Sequence, residues 1–274
     1  MDTMETGETV TAESTGATVP ARTATPVRVA YELDEGPGRY RIGLIALASD
    51  YATERDFINM RPSDDVAVFV SRVRNVNPCT VENLRTMAPK LAEAVSLIVP
   101  DGRLDALAYS CTSGTAVIGY DAVAASVHQV RPGIPVATPI TAALAALARF
   151  DARKVAVLTP YVDEVSAPIV ACLEAGGVEV VGLTSFQIAD DNDMARLPPE
   201  AIFQAALEAD RPDAEALFIS CTAIRAVDVL ERAEQALGKP VITANQVLFW
   251  QALRAAGYTR PVAGYGRLLG LPAG

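Results

Sequence analysis

The chain has 274 residues, half of them apolar and one-fifth charged, with a net charge of −10. That length holds one large or two medium cores, and the acidic balance lacks the basic stripe that nucleic-acid phosphates require. No apolar run reaches the length of a membrane span, the acidic opening lacks the apolar core of a secretion signal, and four cysteines without a pairing pattern fit a reduced cytoplasmic setting.

Residues 1–38 hold eight threonines and scattered acids with almost no apolar period, so a disordered or loosely attached tail is expected there. Arg41 to Leu47 is a continuous apolar run of the kind found in buried parallel strands. Ser49-Asp50-Tyr51 follows as a strand-to-helix loop, with a helix expected from about Thr53 to Met60. Asp65 to Val70 reads as a second strand. Asn77-Pro78-Cys79-Thr80 caps a helix expected from about Val81 to Ile98.

The stretch Asp105-Ala-Leu-Ala-Tyr-Ser-Cys-Thr-Ser-Gly-Thr-Ala-Val117 then returns 110 positions later as Glu215-Ala-Leu-Phe-Ile-Ser-Cys-Thr-Ala-Ile-Arg-Ala-Val227, with seven of thirteen residues identical. Each copy reads as a short strand running into Cys-Thr and then a helical segment, the first helix ending near Arg131-Pro132-Gly133. Between the copies, Lys154 to Tyr161 repeats the opening strand, Val165 to Ala175 is a helix closed by Gly176-Gly177, and Val178 to Leu183 is another strand. A polar run, Ala189 to Met194, precedes a helix from about Pro198 to Asp210. Gly238-Lys-Pro-Val-Ile-Thr243 answers Gly133-Ile-Pro-Val-Ala-Thr138. The repeat predicts an α/β fold of two pseudo-symmetric, doubly wound parallel-sheet domains facing a shared cleft. The expected boundaries are 39–138 plus 241–274 for the first domain and 139–240 for the second.

Most sequence signatures of chemistry are missing. His128, the only histidine, sits mid-helix without partners for a metal or a triad. There is no P-loop and no Cys-x-x-Cys pair. Gly264-Tyr-Gly-Arg-Leu-Leu-Gly270 is followed by only four residues, too few for a dinucleotide-binding unit. Neither metal nor organic cofactor is expected. A lone cysteine is more often packing than chemistry, and Cys172 reads as core and Cys79 as a small neighbour at a helix start. Cys111 and Cys221 differ because they share a strand-end address in both repeats, where open α/β sheets place ligands. A helix N-terminus beside each thiol would favour thiolate.

The two Ser-Cys-Thr turns, the opening Gly-Leu-Ile-Ala-Leu-Ala-Ser-Asp-Tyr-Ala-Thr-Glu and the Leu-Thr-Pro-Tyr loop resemble the aspartate/glutamate/hydantoin racemase superfamily. Within it the chain is similar to maleate cis-trans isomerases, arylmalonate decarboxylases and racemase-like proteins of ectoine utilisation. The resemblance covers about Arg41 to Leu269. It implies a cofactor-independent racemase or isomerase of a small, amino-acid-like carboxylate, with Cys111 and Cys221 as the catalytic thiols on opposite faces of the reacting carbon. Thr112, Ser113, Tyr161 and Thr222 match positions that hold a substrate carboxylate or the enediolate formed from it. Arylmalonate decarboxylases keep only the second cysteine. Maleate isomerases have Ser-Asn where this chain has Ser49-Asp50, and an ungapped reading sets Asp191, with Asn192 beside it, against another asparagine.

Asp50 is therefore expected either to attract a substrate ammonium or to cap the following helix, and Asn192 to assist in binding. The partners expected are the small carboxylate and a second copy of the chain, as a dimer or tetramer. The alternatives are a one-thiol decarboxylase, a maleate-type isomerase, and a carboxylate-binding protein on the same scaffold.

Overall fold

The computed structural model describes residues 23–272. The chain divides into Met1–Gly36 and Pro37–Gly274. In the first unit the described residues, 23–36, are exposed and carry neither helix nor strand; the rest of the expected tail, 1–22, lies outside the described residues.

Within Pro37–Gly274, the first half builds β1 (Tyr40–Leu47), α1 (Thr53–Met60), β2 (Val66–Val73), α2 (Val81–Arg85), α3 (Leu91–Ser96), β3 (Ala106–Tyr109), α4 (Thr112–Ile118), α5 (Tyr120–His128), β4 (Val136–Ala137) and α6 (Pro139–Arg149). The second builds β5 (Lys154–Tyr161), α7 (Asp163–Ala175), β6 (Glu179–Ile188), α8 (Asp191–Ala195), α9 (Pro199–Ala209), β7 (Ala216–Ile219), α10 (Leu230–Leu237), β8 (Val241–Thr243), α11 (Ala244–Ala255) and α12 (Gly266–Gly270). The strands form two four-stranded sheets in the same order, β2-β1-β3-β4 and β6-β5-β7-β8, and every pairing is parallel. The 110-residue repeat is thus a repeat of topology. The apolar runs behave as parallel strands covered on both faces do: β3 and β7 are buried throughout, and β1 and β5 at all but their first residue.

The acid that opens each repeated stretch has a structural task. Asp105 accepts the Arg41 backbone N–H at 2.8 Å and Glu215 accepts that of Lys154 at 3.0 Å, so each fixes the start of the neighbouring strand. One buried cluster runs from Ile45 and Tyr109 in the first half to Leu158 and Ile219 in the second. A smaller one joins β1 and α1 to α11, where the Phe57 and Phe249 rings meet edge-on at 5.0 Å.

Three local expectations are revised. The helix expected over 81–98 breaks into α2, a 3-10 turn at Ala88–Lys90 and α3, because Pro89 supplies no backbone donor. The helix after Cys111 divides into α4 and α5 at Gly119, whose φ of 90° suits glycine. β8 pairs with β7, so the chain leaves the second sheet only after Thr243.

Candidate active site

Both Ser-Cys-Thr turns leave the carboxyl end of an inner strand, but they are built differently. Cys111 is extended, with φ −154°, and caps α4, its sulfur receiving the Gly114 N–H at 3.1 Å. Gly114 is required by close approach: a Cβ there would lie 2.6 Å from the Tyr109 hydroxyl and 2.8 Å from the Cys111 sulfur. The second copy has Ile224 in that place. Cys221 takes φ 114°, a region L-residues rarely adopt, and its sulfur receives the Ala223 N–H at 3.3 Å. A 3-10 turn (Ala226–Val229) and then α10 follow, so the helix expected to start directly at Thr222 is displaced.

The two thiols border one cavity. It is lined by Leu47 and Tyr161 at the ends of β1 and β5, by Ser113 and Thr222 beside the cysteines, and by Asn75, Cys79 and Asp191 from the loops after β2 and β6. Every strand that contributes does so at its carboxyl end, as expected of a parallel sheet. The cavity is only about 20 Å³, roughly the room one or two waters need. It is closed by loops stitched across the two halves. The Cys79 N–H donates to the Ala189 carbonyl at 2.8 Å, the Asp191 N–H to Asn77 Oδ1 at 3.0 Å, and Asn77 Nδ2 to Asp190 Oδ2 at 2.6 Å. These contacts hold the loops over the cavity. A larger cleft of about 550 Å³, between Met60 and Tyr265, contains none of the cysteines.

Burial dominates the electrostatics. It pushes the Cys111 thiol up to about 11 and the Cys221 thiol up to about 12, and Cys79 higher still. The Ser113 hydroxyl and Gly114 N–H favour the Cys111 thiolate, and the Tyr161 hydroxyl and Ala223 N–H favour that of Cys221. In the closed site these donors do not overcome desolvation, so the thiolate expected from the helix terminus alone is not the resting state. Asp191 raises both thiols further through its charge.

Beneath the turns lies a buried polar network. Asp50 Oδ1 accepts the Ala52 and Thr53 N–H groups, both at 2.8 Å, and Asp50 Oδ2 accepts the Thr53 hydroxyl at 2.6 Å. Thr53 Oγ1 lies 2.7 Å from Ser110 Oγ in the first turn. Asn245 Nδ2 donates to the Thr222 carbonyl at 2.9 Å and to Asp56 Oδ2 at 2.8 Å. The Thr222 hydroxyl donates to the Ser110 carbonyl at 3.2 Å and so ties one turn to the other.

The structure brings Cys111, Cys221, Ser113, Tyr161 and Thr222 together and leaves three expected residues out. Asp50 is buried beneath the cavity and does not line it: its oxygens accept the Ala52 and Thr53 N–H groups and the Thr53 hydroxyl just ahead of α1, whose N-cap position is Ala52. Thr112 is fully buried, outside the lining, and its hydroxyl has no hydrogen-bond partner in the protein. Asn192 is exposed on α8, because the short helix turns its predecessor Asp191 inward instead. Sequence reasoning missed Asn75 and Cys79 as lining residues. Both sit on an irregular loop without periodicity, and only the Asn-Pro-Cys-Thr turn signal marked the place. Among the described residues, no group of three His, Cys, Asp or Glu side chains is placed to hold a metal ion, and no helix is long and apolar enough to cross a membrane.

Comparison with known proteins agrees with this geometry. The chain is 27% identical over 243 residues to the maleate isomerase of Nocardia farcinica, covering 85% of this chain and 96% of that one. It is 33% identical over 141 residues to the arylmalonate decarboxylase of Bordetella bronchiseptica, covering 50% and 58%. A solved structure of the Nocardia farcinica maleate cis-trans isomerase, a cysteine-to-serine variant with a covalently bound succinylcysteine intermediate, superposes with a TM-score of 0.76 at 26% identity, covering 85% of this chain and 99% of that one. The arylmalonate decarboxylase family description matches residues 118–269, more than half of the sequence. Paired parallel sheets, a thiol at the end of each inner strand and this match together establish that the chain belongs to the arylmalonate decarboxylase family, within the aspartate/glutamate racemase-like superfamily.

Proposed function

We propose that this protein is a cofactor-independent racemase or isomerase that acts on a small, amino-acid-like carboxylate with Cys111 and Cys221 as its two acid/base groups. The observation that carries this reading is that both sulfurs border one cavity, from turns of opposite halves. One sulfur must be a thiolate to take a proton from carbon. Burial is the largest cause of the raised thiols, and opening of the loops removes it, so a thiol ionises in the open, wetted site. On closure that thiolate takes the proton from the carbon beside the carboxylate. The hydroxyls of Ser113, Tyr161 and Thr222 stabilise the charge that spreads onto the carboxylate oxygens, and the other thiol returns a proton on the opposite face. For an alkene substrate, the same thiolate adds to one carbon, the former double bond rotates as a single bond, and elimination releases the isomer and the thiolate.

The test is incubation in deuterium oxide with a panel of amino acids and dicarboxylates. Deuterium at the reacting carbon together with inverted or isomerised product is expected. Binding across the panel with neither exchange nor isomerisation would instead make this a carboxylate-binding protein. A decarboxylase using Cys221 alone is the second reading, favoured by the 33% identity over 141 residues to an arylmalonate decarboxylase. It predicts carbon dioxide from a malonate substrate and an active Cys111→Ala variant.

A further inference from the structure

Among the described residues, Asp191 is the only charged side chain lining the cavity, and no Lys, Arg or His borders it. It is 8% exposed. Its Oδ2 is fully engaged, accepting Asn75 Nδ2 at 2.7 Å and the Ser49 hydroxyl at 3.3 Å, whereas its Oδ1 accepts no hydrogen bond from the protein. The backbone on either side is held as well. The Asp191 N–H donates to Asn77 Oδ1 at 3.0 Å, and Asp190 caps α8 with its side chain. The carboxylate is thus fixed in place, half-satisfied and without a counter-ion. That oxygen is not among the fully buried polar atoms without a partner, so it retains accessible surface from which a ligand can reach it.

We propose that Asp191 sets substrate choice: its free oxygen receives the ammonium of a substrate that carries an amine beside its carboxylate. This rests on the reading of the cavity as a two-thiol active site and gives that site a substrate class. A substrate ammonium supplies the missing cation and a donor for Oδ1. A substrate with a second carboxylate in that place meets like charge in a closed, water-poor site, which rejects it. Asp50, the acid that sequence reasoning placed in this role, is fully occupied beneath the turns.

A second consequence links binding to chemistry. The Asp191 charge raises Cys79, Cys111 and Cys221, and Asp191 is itself pushed up, by burial first and then by Asp190 and Asp50. An ammonium at Asp191 cancels that field, so the correct substrate makes thiolate easier to form.

The experiment compares L-alanine, L-aspartate and L-lysine with their N-acetyl counterparts and with maleate, by calorimetric binding and by deuterium exchange. Wild type and Asp191→Asn are measured, each first checked for an unchanged thermal transition. In wild type, at least one free amino acid is expected to bind or exchange about a hundredfold better than its N-acetyl partner, as loss of a buried charge partner implies. In Asp191→Asn that preference shrinks to tenfold or less while binding of maleate improves. If no free amino acid outperforms its N-acetyl partner in wild type, or if Asp191→Asn keeps the full preference, the assignment is overturned. Exchange that is indifferent to the amine removes Asp191 and leaves the two thiols in place. Amine-dependent binding without exchange or isomerisation does the reverse.

Discussion

The two Ser-Cys-Thr turns began as the same sentence and are folded to different ends. The first is a compact helix start: extended Cys111, a glycine pressed against its sulfur, and Ser110 bonded to Thr53. The second is strained: Cys221 at φ 114°, Ile224 in the glycine's place, and a buried Ser220 hydroxyl with no partner. The cross-link between them runs one way only, from the Thr222 hydroxyl to the Ser110 carbonyl, since the Thr112 hydroxyl makes no hydrogen bond. Duplication therefore fixed where the thiols stand, and divergence made them inequivalent: Ser113 and Gly114 favour the Cys111 thiolate, Tyr161 and Ala223 that of Cys221. Under the proposed two-thiol mechanism, two positions are essential and identical surroundings are not.

The largest expected effect tests the support beneath the second turn. Burial raises Asp56 from 3.8 to about 7, opposed by the Asn245 hydrogen bond and Arg55. A carboxyl raised on folding holds its proton more tightly in the folded state, so the stability linked to it is full below the unfolded value and is lost as pH climbs towards 7. At 1.36 kcal/mol per unit this amounts to about 4 kcal/mol between pH 4 and 8. Denaturation across that range should show wild type losing stability and Asp56→Asn largely flattening the trend; parallel curves would show that Asp56 does not titrate in this way.

Next comes the glycine itself. Gly114→Ala crowds the Tyr109 hydroxyl and the Cys111 sulfur, and misplacing the sulfur should cost up to about a hundredfold in turnover. Its counterpart Ile224→Ala opens a void and should cost about 2–5 kcal/mol of stability while leaving most activity below its melting point. Steady-state kinetics and melting of both variants test this; equal kinetic losses would erase the distinction between the turns.

Thr53 bonds Asp50 and Ser110, so Thr53→Val strands buried acceptors and should cost about 1–3 kcal/mol. Thr53→Ser should recover most of it in urea titrations.

The smallest effect addresses backbone strain. Cys221→Gly should be more stable than Cys221→Ala by about 1 kcal/mol, because alanine keeps the strain of positive φ. At Cys111, which is extended, the order should reverse. The same order at both sites would contradict the φ difference.

The sheets were legible because buried parallel strands are continuous apolar runs, and their repetition at a fixed offset announced two matching halves. The thiols were legible for the same reason: a shared strand-end address distinguishes Cys111 and Cys221 from Cys79 and Cys172. What sequence alone could not supply was the roof of the site. Asn75 and Cys79 come from an irregular loop and Asp191 from the first residue of the short α8, and they meet only because the two halves face each other. The Asp190-Asp191-Asn192 run does not reveal which member turns inward until α8 fixes it. Asp50 allowed two readings, and its hydrogen bonds to Ala52 and Thr53 hold it in the loop ahead of α1, away from the cavity lining. The unequal turns were also foreshadowed, since Ile224 in place of Gly114 cannot admit a sulfur so closely.

The central claim is that each thiol serves one face of the substrate. The most direct measurement is solvent-deuterium exchange by Cys111→Ser and Cys221→Ser on each separate enantiomer of a turned-over substrate, followed by nuclear magnetic resonance. Each variant is expected to lose interconversion by a thousandfold or more, and one should still exchange the proton of one enantiomer while the other exchanges that of its mirror image. Full racemisation by either variant, or exchange of the same enantiomer by both, would contradict the account.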